Sequence, residues 1–215
     1  MNKQPPRGQL LIVSAPSGAG KTSLIKALIE SDDRIEVSVS HTTRAMRPGE
    51  KNGENYFFVS SAEFDTLRDD GAFFEWAEVF GHFYGTSVAQ LESRLSAGAD
   101  VIVEIDWQGA QQVRQLMPES AWIFILPPSV EALKARLENR GQDDPGTIDV
   151  RMRAARDEIS HWEEADYLIV NEDFDTALSQ LKAVIKAQRL RTNQQRSALN
   201  ALLCDLLGSA PRIED

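Results

Sequence analysis

Eight residues near the start of the chain, Ala15-Pro16-Ser17-Gly18-Ala19-Gly20-Lys21-Thr22, constrain its fold more than any others. An apolar run, Leu10-Leu11-Ile12-Val13, leads into them, and Ser23-Leu24-Ile25-Lys26-Ala27-Leu28-Ile29 follows. Strand, glycine-rich turn and helix in that order is the context of a phosphate-binding P-loop. The turn aims successive backbone N–H groups inward, and the helix N-terminus adds its own unpaired donors and its dipole. Lys21 would reach the outer phosphates, and the Thr22 hydroxyl would ligate Mg2+. The first position is Ala15 where the usual pattern has Gly, but the Gly18, Gly20, Lys21, Thr22 core is intact.

The alternation of strand and helix continues. Apolar or alternating runs at 35–40, 101–105, 121–126 and 168–170 read as strands, with helical patterns at 108–117, 129–139, 147–165 and from Phe174 towards Leu207. Strands that each lead to a helix or an insert predict an α/β fold, a parallel sheet with helices on both faces. Residues 40–85 break the pattern. Tyr56-Phe57-Phe58-Val59 is a short strand, and Ser60 with Glu63 forms a capping-box signature for a helix to about Leu67. A tight hairpin is expected across Gly81-His82, and Thr86 or Ser87 caps the next helix, which Gly98 ends. This region reads as a small lobe inserted into an α/β core. The expected division is a flexible 1–7, a domain over 8–207 with core segments 8–39 and 86–207, and a tail at 208–215.

With 215 residues the chain suits one domain with small inserts. No apolar run approaches a membrane span, and one cysteine, Cys204, leaves no internal disulfide. A cytoplasmic location is the expectation. A net charge of −10 argues against a broad basic face for nucleic acid. The cations are grouped, however: Arg44, Arg47 and Lys51; Arg136 and Arg140; Arg151, Arg153 and Arg156. Beside a P-loop, such groups read as local phosphate pockets.

A P-loop specifies a nucleotide, not a reaction, so the inserted lobe is the place to look for a second substrate. Arg44 and Arg47, followed by Tyr56, can clamp a second phosphate; a solvated basic turn is the competing reading. Glu75 lies between Phe74 and Trp76. A carboxylate in apolar surroundings needs donors, and guanine offers two adjacent ones, N1–H and the 2-amino group, which adenine lacks. On pattern alone, Glu75 is the exposed alternate residue of a strand.

The stretches Ser40-His41-Thr42-Thr43-Arg44, Arg47-Pro48-Gly49-Glu50, Tyr84-Gly85-Thr86, Ile105-Asp106-Trp107-Gln108-Gly109, Ile125-Leu126-Pro127-Pro128-Ser129 and Ile169-Val170-Asn171 resemble guanylate kinase, in that family's order and spacing, over nearly the whole chain. The likeness is to the bacterial enzymes. The resemblance implies a nucleoside monophosphate kinase with a GMP-binding insert (40–85) and a small lid (about 136–151). Its reaction would move the γ-phosphoryl group of ATP to GMP, with Mg2+ as cofactor and dGMP as an alternative acceptor. Carried over by position, Arg44, Arg47, Tyr56 and Tyr84 would hold the GMP phosphate. Ser40, Glu75 and Thr86 would read the guanine, with Glu104 and Asp106 also facing that site. The residues 15–22 with Ser23 would cradle ATP, Arg136 and Arg140 would be lid arginines, Arg151 the arginine after the lid, and Asn171 a contact at the adenine end. Lys21, Arg44, Arg140 and Arg151 would carry the catalysis.

Elementary chemistry is consistent with that. The acceptor is a phosphate oxygen already ionised near neutral pH, so no general base is needed, and His41, His82 and His161 form no plausible triad. Catalysis would come from alignment and charge neutralisation. There are departures: Glu104 stands where many relatives carry Asp, Pro145-Gly146 occupies a lid stretch often acidic, and Phe83 stands where a second Tyr is common. The alternatives are a P-loop kinase for another monophosphate, or a non-catalytic interaction module of the same fold. Gly141 and Gly146 are candidate lid hinges. Along the C-terminus, Leu178, Leu181, Val184, Ile185 and Leu190 recur at helical spacing, which core packing explains. The later run Leu199, Leu202, Leu203, Leu206 and Leu207 exceeds what a compact core needs and points to self-association.

Overall fold

The computed structural model describes residues 6–139 and 145–208. The expected flexible N-terminus at 1–7 and the tail at 208–215 therefore fall mostly outside the described residues, as do Arg140 and Gly141 of the lid. Five parallel strands form the central sheet in the order β2-β7-β1-β8-β9. They are β1 (Leu10–Ser14), β2 (Ile35–Val37), β7 (Asp100–Glu104), β8 (Ala121–Leu126) and β9 (Tyr167–Val170). All five residues of β1 are buried, because strands pair on both sides of it and helices cover both faces.

Side chains alternate between two cores. On one face Leu11, Val13, Ile102, Ile123 and Ile169 pack with α1 (Lys21–Ile29) and α7 (Phe174–Arg189) through Leu24, Leu28, Leu181 and Ile185. On the other, Leu10, Ile12, Val101, Val103 and Trp122 pack with α3 (Val88–Ser96) and α4 (Trp107–Leu116) through Leu91, Leu95 and Val113. A smaller core joins α5 (Val130–Asn139) to α6 (Pro145–Ser160) through Leu133, Leu137 and Ala155.

Residues 41–87 form the second sheet, ordered β4-β3-β6-β5. Its strands are β3 (His41–Thr42), β4 (Phe57–Phe58), β5 (Phe73–Val79) and β6 (His82–Ser87), with α2 (Ser61–Asp69) packed against it. Phe64 of α2 is buried and stacks on Phe73 at 4.5 Å and Phe83 at 5.5 Å between ring centroids. Ser60 and Glu63 make the expected capping box.

Several expectations shift. The strand expected at 35–40 ends at Val37, where pairing with β7 runs out and the chain leaves for the second sheet. The hairpin turns at Phe80-Gly81, one residue earlier than expected, with φ of 50° and 76°. Positive φ at both central residues suits the strand twist of a two-residue hairpin. Ser87, not Thr86, caps α3 by accepting from Gln90 N–H. The helix expected over 147–165 spans Pro145–Ser160, and a short 3-10 turn follows at Trp162–Glu164. Proline is compatible with a helix's first turn because its missing N–H has no partner there anyway. The single long C-terminal helix is two: α7 stops at Arg189, and α8 (Thr192–Leu207) starts after Arg191 takes an extended conformation (φ −61°, ψ 143°).

Candidate active site

The C-terminal ends of β1 and β7 lie side by side, and the P-loop leaves the first of them. The Trp122 ring N–H donates to Ser14 Oγ at 2.6 Å, fixing the last residue of β1 before the turn. Gly18 and Gly20 have φ of 97° and 94°, a conformation that side chains rarely adopt. A Cβ on Gly20 would lie 2.3 Å from the Asn171 amide nitrogen, and one on Gly18 would meet Leu133 at 2.9 Å. The loop is therefore held from both sides and requires glycine at both positions.

Asn171 and Arg136 meet the loop from below. Asn171 is only 5% exposed, and its Nδ2 donates to Ala19 O at 2.7 Å. Arg136 donates to Asn171 O at 2.8 Å and Ala19 O at 3.3 Å. Lys21 Nζ donates to Ile105 O at 3.2 Å, and Thr22 Oγ1 donates to Glu104 Oε1 at 2.5 Å. Glu104, the departure in the sequence, thus reaches the P-loop threonine. Asp106 caps α4 by accepting from Gly109 N–H at 2.9 Å, and burial raises its carboxyl above the ordinary value.

The second sheet supplies the opposite wall. A bulge between Phe73 and Glu75 sets Glu75 opposite Thr86. Glu75 is 3% exposed and Trp76 points outward, so the alternation places the acid, not the indole, on the inner face. Thr86 Oγ1 donates to Glu75 Oε1 at 2.5 Å. Burial pushes the Glu75 carboxyl up to about 7, with Asp106 adding to the rise and Thr86 opposing it. Its other oxygen, Oε2, lies 2.7 Å from where a Cβ on Gly109 would be.

One cavity of about 260 Å3 joins the two walls. It brings together Ala15, Pro16, Ser17, Gly18, Gly20, Lys21, Thr22, Ser40, Arg47, Tyr56, Glu75, Tyr84, Glu104, Asp106 and Arg151 of the expected site residues. Burial and Glu104 push the Tyr56 phenol up to about 12. Ala19, Ser23, Arg44, Thr86, Arg136 and Asn171 do not line it. Arg44 is held instead by Glu50 through two bonds of 2.7 and 3.0 Å, and its guanidinium lies 5.3 Å from the Tyr56 ring centroid. Arg140 lies outside the described residues. A larger cavity, about 580 Å3, opens at the other end of the strands, but its central cation, Arg189, is already paired with Asp32 and Asp100.

Three structural contributors were missed by sequence reasoning. Gly109 admits the Glu75 carboxylate, Glu50 fixes Arg44, and Glu158 of α6 lines the cavity. Gly109 and Glu50 stand inside stretches that carried the resemblance, and that was the available signal.

Known proteins resemble this chain over most of its length. The guanylate kinase family model matches residues 7–188. The guanylate kinase of Hahella chejuensis is 59% identical over 203 residues, covering 94% of this chain and 98% of that protein. That of Pseudomonas fluorescens is 57% identical over 201 residues, with the same shares. A crystal structure of guanylate kinase from Anaplasma phagocytophilum superposes with a TM-score of 0.77 at 36% identity, covering 98% of this chain and 99% of that one. A P-loop facing a buried carboxylate across one cavity, and relatives this close over nearly the full length, give one answer: the chain belongs to the guanylate kinase family.

Proposed function

We infer that this chain is an ATP:GMP phosphotransferase that moves the γ-phosphoryl group of ATP to GMP, giving ADP and GDP. The observation that carries the reading is Glu75, a buried carboxylate on the cavity wall facing a P-loop. Ionised, it accepts the two adjacent N–H donors of guanine, with Thr86 fixing its orientation and Ser40 beside it. Arg47, Tyr56 and Tyr84 line the same cavity and take the GMP phosphate, with Arg44 held ready by Glu50. Asp106 borders both substrates.

On the ATP side, residues 15–23 supply the cradle, and Lys21 reaches the outer phosphates. Arg136 and Asn171 serve the nucleotide by holding the Ala19 carbonyl, which keeps the loop open as a nest of N–H donors. The donor set fits Mg2+: Thr22 Oγ1 and Glu104 Oε1 are hard oxygen groups already in contact, and Mg2+ is typically held by one or two such groups plus substrate phosphates. Bound there, the ion would neutralise phosphate charge. Among the described residues no cluster of three or more acidic, His or Cys side chains offers an all-protein metal cage.

The transfer forms a bond from a GMP phosphate oxygen to the γ-phosphorus and breaks the bond to the β–γ bridging oxygen, which leaves on ADP. No proton need be removed first. The residues align two polyanions and neutralise the transferring group, with Arg151 and the lid's Arg140 as the added cations. An arginine in that role is worth roughly a thousandfold in rate or more. Among the described residues no helix is long and apolar enough to cross a membrane, and work on small cellular nucleotides fits a cytoplasmic setting. The exposed leucines of α8, with Leu206 and Leu207 more than two-thirds exposed, support self-association through that helix.

The direct test is an ADP-release assay with Mg-ATP and GMP, dGMP, AMP, CMP or UMP in turn. Turnover confined to GMP and dGMP is expected. Turnover with AMP would remove Glu75 as the base reader, and no turnover with any acceptor would favour a non-catalytic module.

A further inference from the structure

One carboxylate in the cavity has no task in the reaction so far. Glu158 follows Arg151 by seven residues on α6, about two helical turns, so the two share one face. Both line the cavity, beside Ser17, Lys21 and Asp106. The Oε2 atom of Glu158 is closed off from solvent and has no hydrogen-bond partner. Glu158 as a whole is half-buried, but a carboxylate oxygen closed off from water with its acceptor unfilled is costly, and native folds rarely keep one without a use. Burial is the main influence on this group and pushes its carboxyl up to about 7. The Lys21 ammonium and the Ser17 backbone N–H favour its charge, while Asp106 and Asp157 oppose it.

Ser17 N–H and Lys21 are P-loop donors, the groups that phosphate oxygens use. A carboxylate engaged with them and a polyphosphate cannot occupy the same donors. We propose that Glu158 is a positioning residue that stands in for the ATP phosphates before nucleotide binds: its carboxylate pairs with Ser17 N–H and Lys21 until the incoming phosphates displace it, and that displacement frees the face of α6 that carries Arg151. ATP binding is thereby coupled to the placement of the arginine that follows the lid. The proposal rests on the P-loop as the ATP site.

The test is calorimetric titration of Mg-ADP, and separately of inorganic pyrophosphate with Mg2+, into the full chain at pH 8 without GMP. Wild type, Glu158→Gln and Glu158→Asp are compared. Removing a negative charge from beside the phosphates should tighten both ligands about tenfold in Glu158→Gln. Glu158→Asp, which withdraws the carboxylate by one methylene, should tighten them by less. GMP affinity should not change, and in turnover the ATP KM should fall without a rise in kcat. A merely structural residue would give weaker binding or none of these gains. Unchanged or weaker Mg-ADP affinity in a folded Glu158→Gln protein overturns the proposal; should that variant not fold, Glu158→Asp decides by the same criterion. Failure of wild type to bind either ligand would instead overturn the P-loop reading itself, and this proposal with it.

Discussion

Glu75 carries opposite consequences for stability and for substrate. Its carboxyl titrates near 4.5 when unfolded and at about 7 in the folded chain, so folding favours its protonated form. Its contribution is therefore full below pH 4.5 and is lost as the pH rises to about 7. Glu75→Gln should raise the melting temperature of the ligand-free protein relative to wild type, with the gap opening between pH 5 and 7.5 and reaching about 3 kcal/mol at most. Glu158 acts with the same sign and stays in both proteins. The same variant should lose at least a hundredfold in kcat/KM for GMP while keeping ATP affinity, because a site built on buried hydrogen bonds penalises a mismatched group heavily. In wild type the GMP KM should climb below pH 7, as the acceptor takes up its proton; a flat pH profile would show that the base is read elsewhere. Gly109→Ala would push a methyl onto Glu75 Oε2 and should weaken GMP, not ATP. None of this geometry was legible in the chain's pattern. Glu75 sits between two aromatics, and only the bulge at Phe73–Glu75 and the direction of Trp76 decide which faces inward.

At the scale of elements, local signals were read well and long ones less so. The P-loop, the Ser60–Glu63 box and the apolar strand at Ala121–Leu126 are each specified within a few residues, and each stands where the sequence put it. The C-terminal helix broke the rule because its periodicity runs on through Leu190 and Arg191 with neither glycine nor proline to mark the stop. The restart of the helix at Arg191 has no capping side chain either. The leucines divide accordingly: Leu181 and Ile185 are buried, Leu178 and Val184 partly so, and Leu190 is exposed. The P-loop makes the sharpest prediction at this scale. Gly20→Ala combines φ of 94° with a Cβ 2.3 Å from the Asn171 amide, so the loop must move. Mg-ATP affinity should fall at least tenfold in calorimetry while GMP still binds, since the second sheet is untouched.

For the whole molecule, the parallel sheet with helices on both faces was expected, but the order β2-β7-β1-β8-β9 was not, because which strands neighbour each other depends on pairing far apart in sequence. The family model ends at residue 188, so α8 and its exposed leucines lie beyond it. If that face joins copies of the chain, replacing Leu202 and Leu206 by Gln should convert the assembly to monomer in sedimentation velocity without altering turnover per chain; a monomer at all concentrations in wild type would leave the face unpaired. Among the described residues the two sheets share no ladder hydrogen bond, and the proposed base-reading pair, Glu75 and Thr86, sits within one hairpin. A lineage could therefore change which base it accepts by editing a stretch of a dozen residues together with Ser40 and Gly109, while the phosphoryl machinery, encoded elsewhere, is inherited unaltered.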